Sequence, residues 1–571
     1  MRHIIFDLIT TALQHLQAQG VLPPDSSSGL SSGWRIERPR DKTHGDFATN
    51  AAMVWAKTAR LSPRDLAQRL IEALPSQQQI ERCEVAGPGF INFHLSHQAL
   101  QSLIGTIQQQ GDRYGCSTIG QGERVQVEFV SANPTGPMHV GHGRGAVVGD
   151  VLCRLLTAVG YQVEREYYIN DAGGQMLVLG RSLLLRYFEL SGREVVWPEA
   201  CYPGDYVRDM AEALHQRDGD RWLTASIDHP PQEIIDLAID WVMVLIRADL
   251  EQIGIHFDHW FSERQLHQSG AIDHALAILQ QKGLIYTGLL EAPKGREMTD
   301  DWEPQPQMLF RAQQFGDVVD RPLKKSDGSY TYFAADMAYH LHKAERGFDQ
   351  LINIWGADHG GYVKRIQSAL EALTGRREQP QVLLVQMVNL TRAGQPVRMS
   401  KRAGTFVTLR EVMDETGVDA VRFWFLTRSI GAQLDFDLQL AVSNSNDNPV
   451  FYVQYAHARI CSILRQAVEQ GIGAAEAPVA LLTSPAELDL LRLLGSYPEL
   501  VEGAALARET HRLSFYLLEL AAAFHTYYNE HRVLDAAQPD LSRARLALVT
   551  AVRQVLCHAL QLMGVSAPER M

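Results

Sequence analysis

The sequence predicts an α/β protein with a split Rossmann-type parallel sheet at its centre, a small α/β domain before it and an all-α bundle after it. Three observations predict this arrangement: a strand, glycine-rich loop, helix and strand in succession from about residue 124, a helical stretch that interrupts the strand signals, and helical periodicity from about residue 441 onward. At 571 residues the chain is too long for one hydrophobic core, so roughly three domains of ~100–200 residues are expected.

Composition and charge are those of an ordinary globular protein, with 46% hydrophobic residues and a formal net charge of -13. The net negative charge gives no general indication of nucleic-acid binding, although a local basic surface can still exist on an acidic protein. Six scattered cysteines without a C-x-x-C pair indicate reduced thiols in a cytoplasmic protein, without a zinc site or a disulfide framework. No targeting segment or membrane span is expected, because Asp7 interrupts the N-terminal apolar stretch and no apolar run reaches the ~18 residues of a span.

Two flanking domains are predicted, over residues 1–112 and 441–571. In the first, a helix is followed by the linker "SSSGLSSGW" and by the helical pattern "GDFATNAAMVWAKTA", and "CEVAGPGFINFHLS" is typical of two short strands around a Pro-Gly turn. In the second, segments such as "ELDLLRLLGSYPELVEGAALARETHRLSFYLLELAAAFHTYYNEH" keep a helical period, which predicts an all-α bundle.

Residues 113–440 are predicted to form the central domain. "RVQVEFVSANP" is typical of a strand entering a loop, "GHGRGAVVGDVLCRLLTAVG" of an amphipathic helix ended by Gly160, and "YQVEREYYIND" of a second strand. This βαβ order predicts a doubly wound parallel sheet. A mostly helical insertion, about 175–285, splits the sheet before strand signals resume at "DGSYTYFAAD", "DQLINIWGAD" and "QVLLVQMVNL".

The stretch "HVGHGRGA" at the start of the central helix admits three interpretations. A metal site would use His139 and His142, but no third ligand of conventional spacing lies nearby. A dinucleotide fingerprint, G-x-G-x-x-A over residues 141–146, is followed about 20 positions later by Glu164 and Glu166. That fingerprint has no use for the preceding "SANPTGP" or for two histidines.

In the third interpretation, the stretch binds ATP. A helix N-terminus offers unpaired N–H groups and a partial positive charge to a phosphate. Gly141, Gly143 and Gly145 would let the backbone approach the nucleotide, because a Cβ would collide with it. The ring N–H groups of His139 and His142 would bind phosphate oxygens whose charge grows during reaction.

Attack on the α-phosphate of ATP also requires positive charge beside the departing pyrophosphate. "GQPVRMSKRAGTFVTL", residues 394–409, supplies Arg398, Lys401 and Arg402 on a glycine-flanked loop. A basic loop alone is more often a solvated surface turn. The histidine-bearing nucleotide loop in the same domain favours the interpretation that this basic loop binds the pyrophosphate.

These motifs resemble the two signatures of class I aminoacyl-tRNA synthetases, since "HVGH" is similar to HIGH and "RMSKR" is similar to KMSKS. Longer strings resemble the arginyl-tRNA synthetases, namely "SANPTGPMHVGHGRG", "SDGSYTYFAADMAYH", "WGADHGGY", "MSKRAGTFVTL", "NPVFYVQYAHAR" and "GVSAPERM", with "HGDFATNAAM" and "GPGFINFHL" nearer the N-terminus. The motifs occur in the order of the family and cover nearly the whole chain.

The resemblance implies an arginine–tRNA ligase. Such an enzyme activates L-arginine with ATP, releases pyrophosphate, and transfers the arginyl group to tRNA(Arg) with release of AMP. Neither step needs a protein nucleophile, in keeping with a sequence that offers no convincing Ser-His-Asp or Cys-His set. Mg²⁺ is implied as the companion of the ATP phosphates, although no carboxylate cage for it is visible. The expected partners are tRNA(Arg), L-arginine and ATP, with no membrane, and a monomer is expected.

The resemblance also implies site residues. His139 and His142 would bind ATP phosphates and Lys401 would stabilise the departing pyrophosphate, which makes these three the catalytic residues. Arg398 and Arg402 depart from the consensus lysine and serine, but full activity is expected because Lys401 is present. The implied ATP-binding residues are Gly141, His142, Gly143, Met399, Ser400 and Lys401.

Selecting arginine requires buried carboxylates, because guanidinium presents five donors and no acceptor. The resemblance places Asp336 against the guanidinium, with Tyr332 one helical turn earlier on the same face and His359 at a polar substrate contact. Glu263 is a weaker candidate. The residues implied to bind arginine are Glu128 and Asn133 at its amino end, then Ser131, Tyr332, Asp336 and His359.

In the family, the helical C-terminal domain reads the anticodon and the N-terminal domain touches the corner of the tRNA. Candidate stacking residues, whose helical spacing also suits a core, are Phe451, Tyr452, Tyr455, Phe524, Tyr527 and Tyr528. Two other hypotheses stay open: an NAD-dependent oxidoreductase built on the glycine fingerprint, and a non-catalytic tRNA-binding relative. The presence of both histidines and of Lys401 argues against the second.

Overall fold

The computed structural model describes residues 1–23, 33–39, 41–290, 303, 305–377, 379–397, 407–474 and 476–571. Several residues of the second signature therefore lie outside the described residues, namely Arg398, Met399, Ser400, Lys401 and Arg402.

An antiparallel sheet with helices packed around it forms the N-terminal region. Its strands pair in the order β1-β2-β4-β3. The predicted hairpin is confirmed, because β3 and β4 pair antiparallel and the Pro-Gly turn joins Ala86 to Phe90. The helix predicted over "GDFATNAAMVWAKTA" begins only at Ala51, after strand β2. The elements are α1 (Arg2–Ala18), β1 (Ile36–Glu37), β2 (Phe47–Thr49), α2 (Ala51–Ala59), α3 (Pro63–Ala73), β3 (Ile80–Ala86), β4 (Phe90–Leu95) and α4 (His97–Gln110).

The central region combines a parallel sheet with two three-stranded sheets, which have the orders β10-β9-β8 and β14-β13-β15. The elements of its first half are β5 (Arg124–Glu128), α5 (Val140–Ala158), β6 (Gln162–Ile169), α6 (Gly174–Leu190), α7 (Asp205–Asp218), α8 (Gln232–Gln252), β7 (His259–Ser262), α9 (Glu263–Ser269), α10 (Ala271–Gln281) and β8 (Ile285–Gly288). Those of its second half are β9 (Gln307–Phe310), β10 (Arg321–Lys324), α11 (Tyr332–Glu345), β11 (Gln350–Gly356), α12 (Val363–Thr374), β12 (Gln381–Val385), β13 (Val388–Arg392), β14 (Gln395–Pro396), α13 (Leu409–Thr416), α14 (Val418–Phe425), β15 (Leu434–Asp437) and α15 (Leu438–Ala441).

Five strands form the parallel sheet in the order β12-β11-β5-β6-β7, and every neighbouring pair is parallel. The predicted βαβ unit is confirmed as β5, α5 and β6. From β5 the chain builds the sheet in one direction through β6 and β7, and later in the other direction through β11 and β12. Such a reversal opens a crevice outside the carboxyl ends of the two strands that flank it, here β5 and β11.

The structure differs from the sequence-based assignments of the central region at three places. The stretch predicted as a helical insertion over 175–285 contains a strand, because His259–Ser262 forms β7 and joins the parallel sheet. The strand predicted at "DGSYTYFAAD" is instead the start of helix α11, which Thr331 caps by accepting the Ala334 N–H at 3.3 Å. "QVLLVQMVNL" forms two strands, β12 and β13, in different sheets.

The described residues after Ala441 form helices and no strand, as predicted. Among them α19 is long and apolar enough, by length and mean hydropathy, to cross a membrane. Within its most apolar window, however, 72% of the residues are buried inside the protein, where the helix packs against α16 and α18. The long helices of this region are α16 (Pro449–Glu469), α17 (Pro485–Ala507), α18 (Arg512–Glu530) and α19 (Pro539–Met563).

Buried ion pairs anchor α5, the helix that carries the two histidines at its start. Arg422, only 1% exposed, donates to Asp150 of α5, to the carbonyl of Met563 at the end of α19 and to that of Ile253 after α8. Arg154 donates to the same Asp150 carboxylate at 2.8 Å. Carbonyl ends of helices carry partial negative charge, so Arg422, which belongs to α14, ties that helix to α5, α8 and α19 at one point.

Candidate active site

The histidine turn, residues 138–143, lies at the carboxyl edge of the parallel sheet. Nδ1 of His139 accepts hydrogen bonds from the N–H groups of Gly141 (3.1 Å) and His142 (3.4 Å), and Nδ1 of His142 accepts one from the His139 N–H (3.4 Å). The two rings stack with their centroids 3.7 Å apart. A neutral imidazole that accepts at Nδ1 carries its proton on Nε2, so both histidines have an Nε2–H donor of the kind that binds phosphate.

Two strained residues connect β5 to the histidine turn. Val130 and Ser131 have φ angles of 69° and 39°, a left-handed region that is unfavourable above all for a β-branched residue. The Ser131 N–H donates to the Phe129 carbonyl at 3.0 Å in a tight turn. The Ser131 hydroxyl donates to Glu128 and accepts the Tyr168 N–H, each at 3.1 Å. These side-chain contacts hold a strained backbone at the site, and such strain clusters at functional sites.

The glycines of the first signature face different surroundings. A Cβ on Gly143 would lie 2.6 Å from Leu409 Cδ1. The prediction that this glycine makes room for the nucleotide is therefore wrong, because its absent side chain would point at α13 and the glycine allows α5 to pack closely there. Within the described parts of the chain, nothing lies within 4 Å of a Cβ on Gly145, and a Cβ on Gly141 would meet only the His139 ring. Gly141 and Gly145 therefore do not pack against another element of the described chain, and their predicted contact with ATP stays a prediction.

The second signature meets the first through its described flank. Thr408 forms an isolated antiparallel bridge with His139, and the Leu409 N–H donates to the Met138 carbonyl at 2.8 Å. The basic segment, residues 398–406 with Lys401, lies outside the described residues. The first described residues after it stand directly beside the histidine turn.

Glu128, buried at the end of β5, belongs to a polar network. Its Oε2 accepts from Lys343 Nζ at 2.7 Å and from the Tyr339 hydroxyl at 3.2 Å. Lys343 is fully buried and also donates to Asn353 of β11 at 2.9 Å. Lys343 therefore neutralises Glu128 and joins the two strands that flank the crevice. The predicted contact of Glu128 with the amino group of arginine stays a prediction.

Asp336 and Glu263 bring two carboxylates together at the same edge. The Tyr362 hydroxyl donates to Asp336 Oδ2. Burial, followed by the negative charge of Asp336, raises the pKa of Glu263 to about 7. The buried Tyr168 hydroxyl lies next to Glu263, and burial with the charges of both carboxylates raises its pKa. A cation with several N–H donors, such as guanidinium, would relieve the repulsion and satisfy these groups.

Three further predicted residues have exposed side chains at this edge. Tyr332 is 47% exposed and its ring lies against Gly173, in the loop after β6. The Asn133 amide donates to Gln175 at 3.1 Å. The side chain of His359, which follows β11, is 61% exposed. All three can be reached by a ligand, and their contact with arginine stays a prediction.

The acidic residues of the dinucleotide fingerprint are occupied by other partners. Glu164 and Glu166 both accept hydrogen bonds from Arg346, and Glu166 also lies 2.6 Å from His259 Nδ1. Burial opposes ionisation of Glu166, but Lys343 and Arg346 outweigh it and lower its pKa to about 2. The two acids and His259 are near enough to one another to hold a metal, yet the Arg346 guanidinium already pairs with both carboxylates. A ribose hydroxyl would therefore have to compete with Arg346 for either carboxylate.

A cavity of about 260 Å³ adjoins the histidine turn. One wall is the loop after β5, and the other is the segment 199–206, which runs from the α6–α7 connection into the first turn of α7. The Tyr206 hydroxyl donates to the Thr135 carbonyl, and a Cβ on Gly136 would lie 3.1 Å from that hydroxyl. The insertion therefore forms one side of the site.

Sequence reasoning missed Tyr168, Tyr362 and Lys343. Tyr168 lies near the carboxyl end of β6 and Tyr362 follows β11, and ligands bind at such ends, so this rule applied to the predicted strands would have found both tyrosines. No local pattern marks Lys343, whose partner Glu128 is 215 residues away in the sequence.

The aromatic residues of the C-terminal region divide between core and surface. Phe524 and Tyr527 are 0% and 1% exposed, which makes them core residues. Tyr528 is 37% exposed, and the Arg459 guanidinium lies 4.8 Å from its ring centroid and 4.5 Å from that of Tyr455. This Arg–Tyr group has the geometry to stack on an unpaired base.

Comparison with known families finds three matches along the chain. The arginyl tRNA synthetase N terminal domain matches residues 5–95, the catalytic domain of class I tRNA synthetases (R) matches residues 104–195, and the DALR anticodon binding domain matches residues 453–571.

Similar proteins cover the chain from end to end. An Arginine–tRNA ligase of Magnetococcus marinus is 57% identical over 100% of both chains, and one of Parvibaculum lavamentivorans is 50% identical over 99% of this chain and 98% of its own. A solved putative arginyl-tRNA synthetase from Campylobacter jejuni is 34% identical with a TM-score of 0.74, covering 84% of this chain and 100% of its own. Thermus thermophilus arginyl-tRNA synthetase has a TM-score of 0.75 over 100% of both chains at 23% identity, which shows a shared fold.

Proposed function

The chain belongs to the arginyl-tRNA synthetase family, and from this membership we infer that the carboxyl edge of its parallel sheet is where L-arginine and ATP react. The enzyme is a class I arginine–tRNA ligase. It activates L-arginine with ATP to arginyl-adenylate, releasing pyrophosphate. It then transfers the arginyl group to the 3′ end of tRNA(Arg), releasing AMP.

The observation that carries the arginine site is the pair of carboxylates Asp336 and Glu263. Asp336 accepts from Tyr362, and the negative charge of Asp336 adds to burial in raising the pKa of Glu263. Bound guanidinium would favour the charged form of Glu263 and can donate to both carboxylates and to the Tyr168 hydroxyl. Lysine, with one compact ammonium group, cannot reach two carboxylates and a hydroxyl in one plane, which provides the basis for specificity.

ATP is proposed to lie with its phosphates over the start of α5. The Nε2–H groups of His139 and His142 would bind phosphate oxygens, supported by the tautomer that their Nδ1 contacts impose. Lys401 is proposed to stabilise the pyrophosphate. What supports this role is that Thr408, shortly after it in sequence, is bridged to His139.

Activation proceeds by in-line displacement. A carboxylate oxygen of arginine attacks the α-phosphorus, a new P–O bond forms, and the bond to pyrophosphate breaks. Negative charge increases on the phosphate oxygens, where preorganised N–H donors and the helix N-terminus stabilise it more in the transition state than in the ground state. No protein atom forms a covalent bond with the substrate.

Mg²⁺ is proposed to enter with ATP. This cation prefers oxygen ligands and usually keeps phosphates and waters beside one or two carboxylates. Among the described residues, the group able to surround a cation is Glu164, Glu166 and His259, and Arg346 already pairs with both of its carboxylates. The ligands of Mg²⁺ are therefore expected to come mainly from the ATP phosphates.

Three domains are proposed: residues 1–112, residues 113–440 with the insertion, and residues 441–571. The first and last would contact tRNA, in support of which residues 5–95 and 453–571 match an N-terminal synthetase domain and an anticodon-binding domain. The exposed Arg459–Tyr528 group is a candidate contact with an anticodon base. A monomer that works in the cytoplasm without a membrane is proposed as well.

The test is aminoacylation by the purified protein. With labelled L-arginine, ATP, Mg²⁺ and total tRNA, acid-precipitable arginyl-tRNA is expected, and replacing arginine with lysine or omitting ATP should abolish it. Absence of product with arginine, while a known arginine–tRNA ligase charges the same tRNA, would contradict the proposal.

A further inference from the structure

Arg144 is a fully buried cation in the second turn of α5, two residues after His142. Its guanidinium donates to the main-chain carbonyls of Gln386 and Ala432, both at 2.8 Å, and to that of Ser429 at 2.9 Å. Its Nε has no hydrogen-bond partner among the described residues. The three carbonyls accept some of the hydrogen bonds that the Arg144 guanidinium can donate, but they carry no net charge that would balance its positive charge.

Other buried cations of this protein are neutralised by carboxylates. Arg422 pairs with Asp150, and Lys343 pairs with Glu128. In the described part of the chain, no carboxylate lies within 4.0 Å of the Arg144 guanidinium. Burial lowers the pKa of Arg144 to about 10, so the guanidinium is still charged at neutral pH. Burial of an uncompensated charge is costly, so its retention calls for an anion that is supplied from outside the protein chain.

The position of Arg144 in the fold indicates which kind of anion this is. The guanidinium lies on the helix that begins with the histidine turn, and its partner Gln386 directly follows β12 at the carboxyl edge of the sheet. The phosphates of ATP are proposed to lie over the N-terminal end of the same helix. In a protein interior, charges interact over longer distances than in water because screening is weak.

We propose that Arg144 is a positioning residue for arginine activation, whose buried positive charge is balanced by the triphosphate of ATP without direct contact. The guanidinium adds to the electrostatic potential at the start of α5 and favours the binding of a polyanion. Its three carbonyl bonds keep that charge fixed relative to the histidine turn. This inference rests on the proposed ATP site.

A purely structural role makes a different prediction. If Arg144 only joined α5 to the segments at 386 and 429–432, losing it would disturb the nucleotide pocket for every ligand alike. If its charge matters, the loss depends on the charge of the ligand. ATP and uncharged adenosine differ in this respect while sharing the base and the ribose.

The experiment compares wild-type protein with R144K, which keeps the charge, and R144M, which keeps most of the volume without it. Affinities for ATP, adenosine and L-arginine are measured by titration calorimetry, and activation by ATP–pyrophosphate exchange with tRNA present. R144M is expected to lose about tenfold or more in ATP affinity, and R144K at most about threefold, with adenosine and arginine affinities unchanged in both.

Equal losses for ATP and adenosine in R144M, or wild-type ATP affinity in R144M, would overturn the inference. If R144M does not fold, R144Q, which removes the charge but keeps an amide donor for one carbonyl, decides by the same comparison. A loss of about tenfold confined to ATP supports the role of the charge, and an ATP-to-adenosine affinity ratio within about threefold of wild type contradicts it. Wild-type protein that binds no ATP would instead refute the proposed ATP site, so the two failures are distinguishable.

Discussion

The main-chain N–H of Leu409 donates to the carbonyl of Met138 at 2.8 Å. Met138 directly precedes the first signature histidine, and Leu409 begins α13 shortly after the basic segment. Together with the bridge between Thr408 and His139, this bond joins the two signature regions through their main chains. The contact does not depend on side-chain identity, so it holds the described segment that follows the second signature beside the histidine turn whichever residues that signature contains.

Lys401→Ala is expected to slow arginine activation roughly 100- to 1,000-fold, as for the loss of one donor to a transition-state anion, and to leave tRNA affinity nearly unchanged. ATP–pyrophosphate exchange and tRNA binding measure the two effects separately. Lys325→Ala, a lysine away from the carboxyl edge, is the matched control and should behave as wild type. An equal loss in tRNA binding would mean that the basic segment is a docking surface.

Asp336→Asn is expected to weaken arginine binding by about 30-fold or more with little effect on ATP, because it removes one of the two carboxylate charges that would face the guanidinium. The ratio of the two KM values in pyrophosphate exchange checks this. Glu345→Gln, on the exposed end of the same helix, should leave both values unchanged. Similar losses for arginine and ATP would reject Asp336 as the partner of the guanidinium.

Glu263 should make arginine binding pH-dependent. Its pKa is raised from 4.5 to about 7 in the fold, so the folded state binds more protons than the unfolded chain between these values. Its contribution to the free energy of unfolding is therefore fully present below about pH 4.5 and is lost as the pH rises through about 7.

Arginine binding requires the charged carboxylate, so arginine affinity should rise with pH through about 7 and level off above it. Glu263→Gln should lower the affinity and flatten the profile. Calorimetric titration with arginine across this range, for both proteins, measures the effect. The same slope in the variant would assign the titration to another group.

Two glycines in α5 should respond to alanine in opposite directions. Gly143→Ala places a methyl group 2.6 Å from Leu409 Cδ1 and is expected to lower the free energy of unfolding by roughly 1–3 kcal/mol. Gly145→Ala meets no described residue within 4 Å and should raise it by roughly 0.5–1 kcal/mol, because alanine favours helix. Thermal and urea unfolding test both variants, and equal effects would contradict the packing described for Gly143.

Much of the fold follows from local patterns. The strand, loop, helix and strand around the histidines have distinct periodicities, and β5, α5 and β6 occur as predicted. The strand predicted at "DGSYTYFAAD" is a helix because tertiary packing and the cap at Thr331 outweigh the β propensity of its aromatic residues. β7 has four residues, too few for a periodic signal, and pairing with β6 defines it.

The candidate site was predictable where a motif spans a short stretch, as for His139 and His142. Its supporting contacts were not, because they join residues far apart in sequence. Lys343 reaches Glu128 across the sheet, and Arg144 reaches carbonyls near residue 430. Neither has a local pattern, since the ends of these contacts become neighbours only after the sheet and helices assemble.

ATP–pyrophosphate exchange with each of the twenty amino acids, with and without total tRNA, tests the central claim most directly. The two carboxylates at the sheet edge predict exchange with arginine alone, and loss of that exchange in Asp336→Asn. Exchange driven equally well by lysine or by an uncharged amino acid would contradict a cleft built to bind a guanidinium.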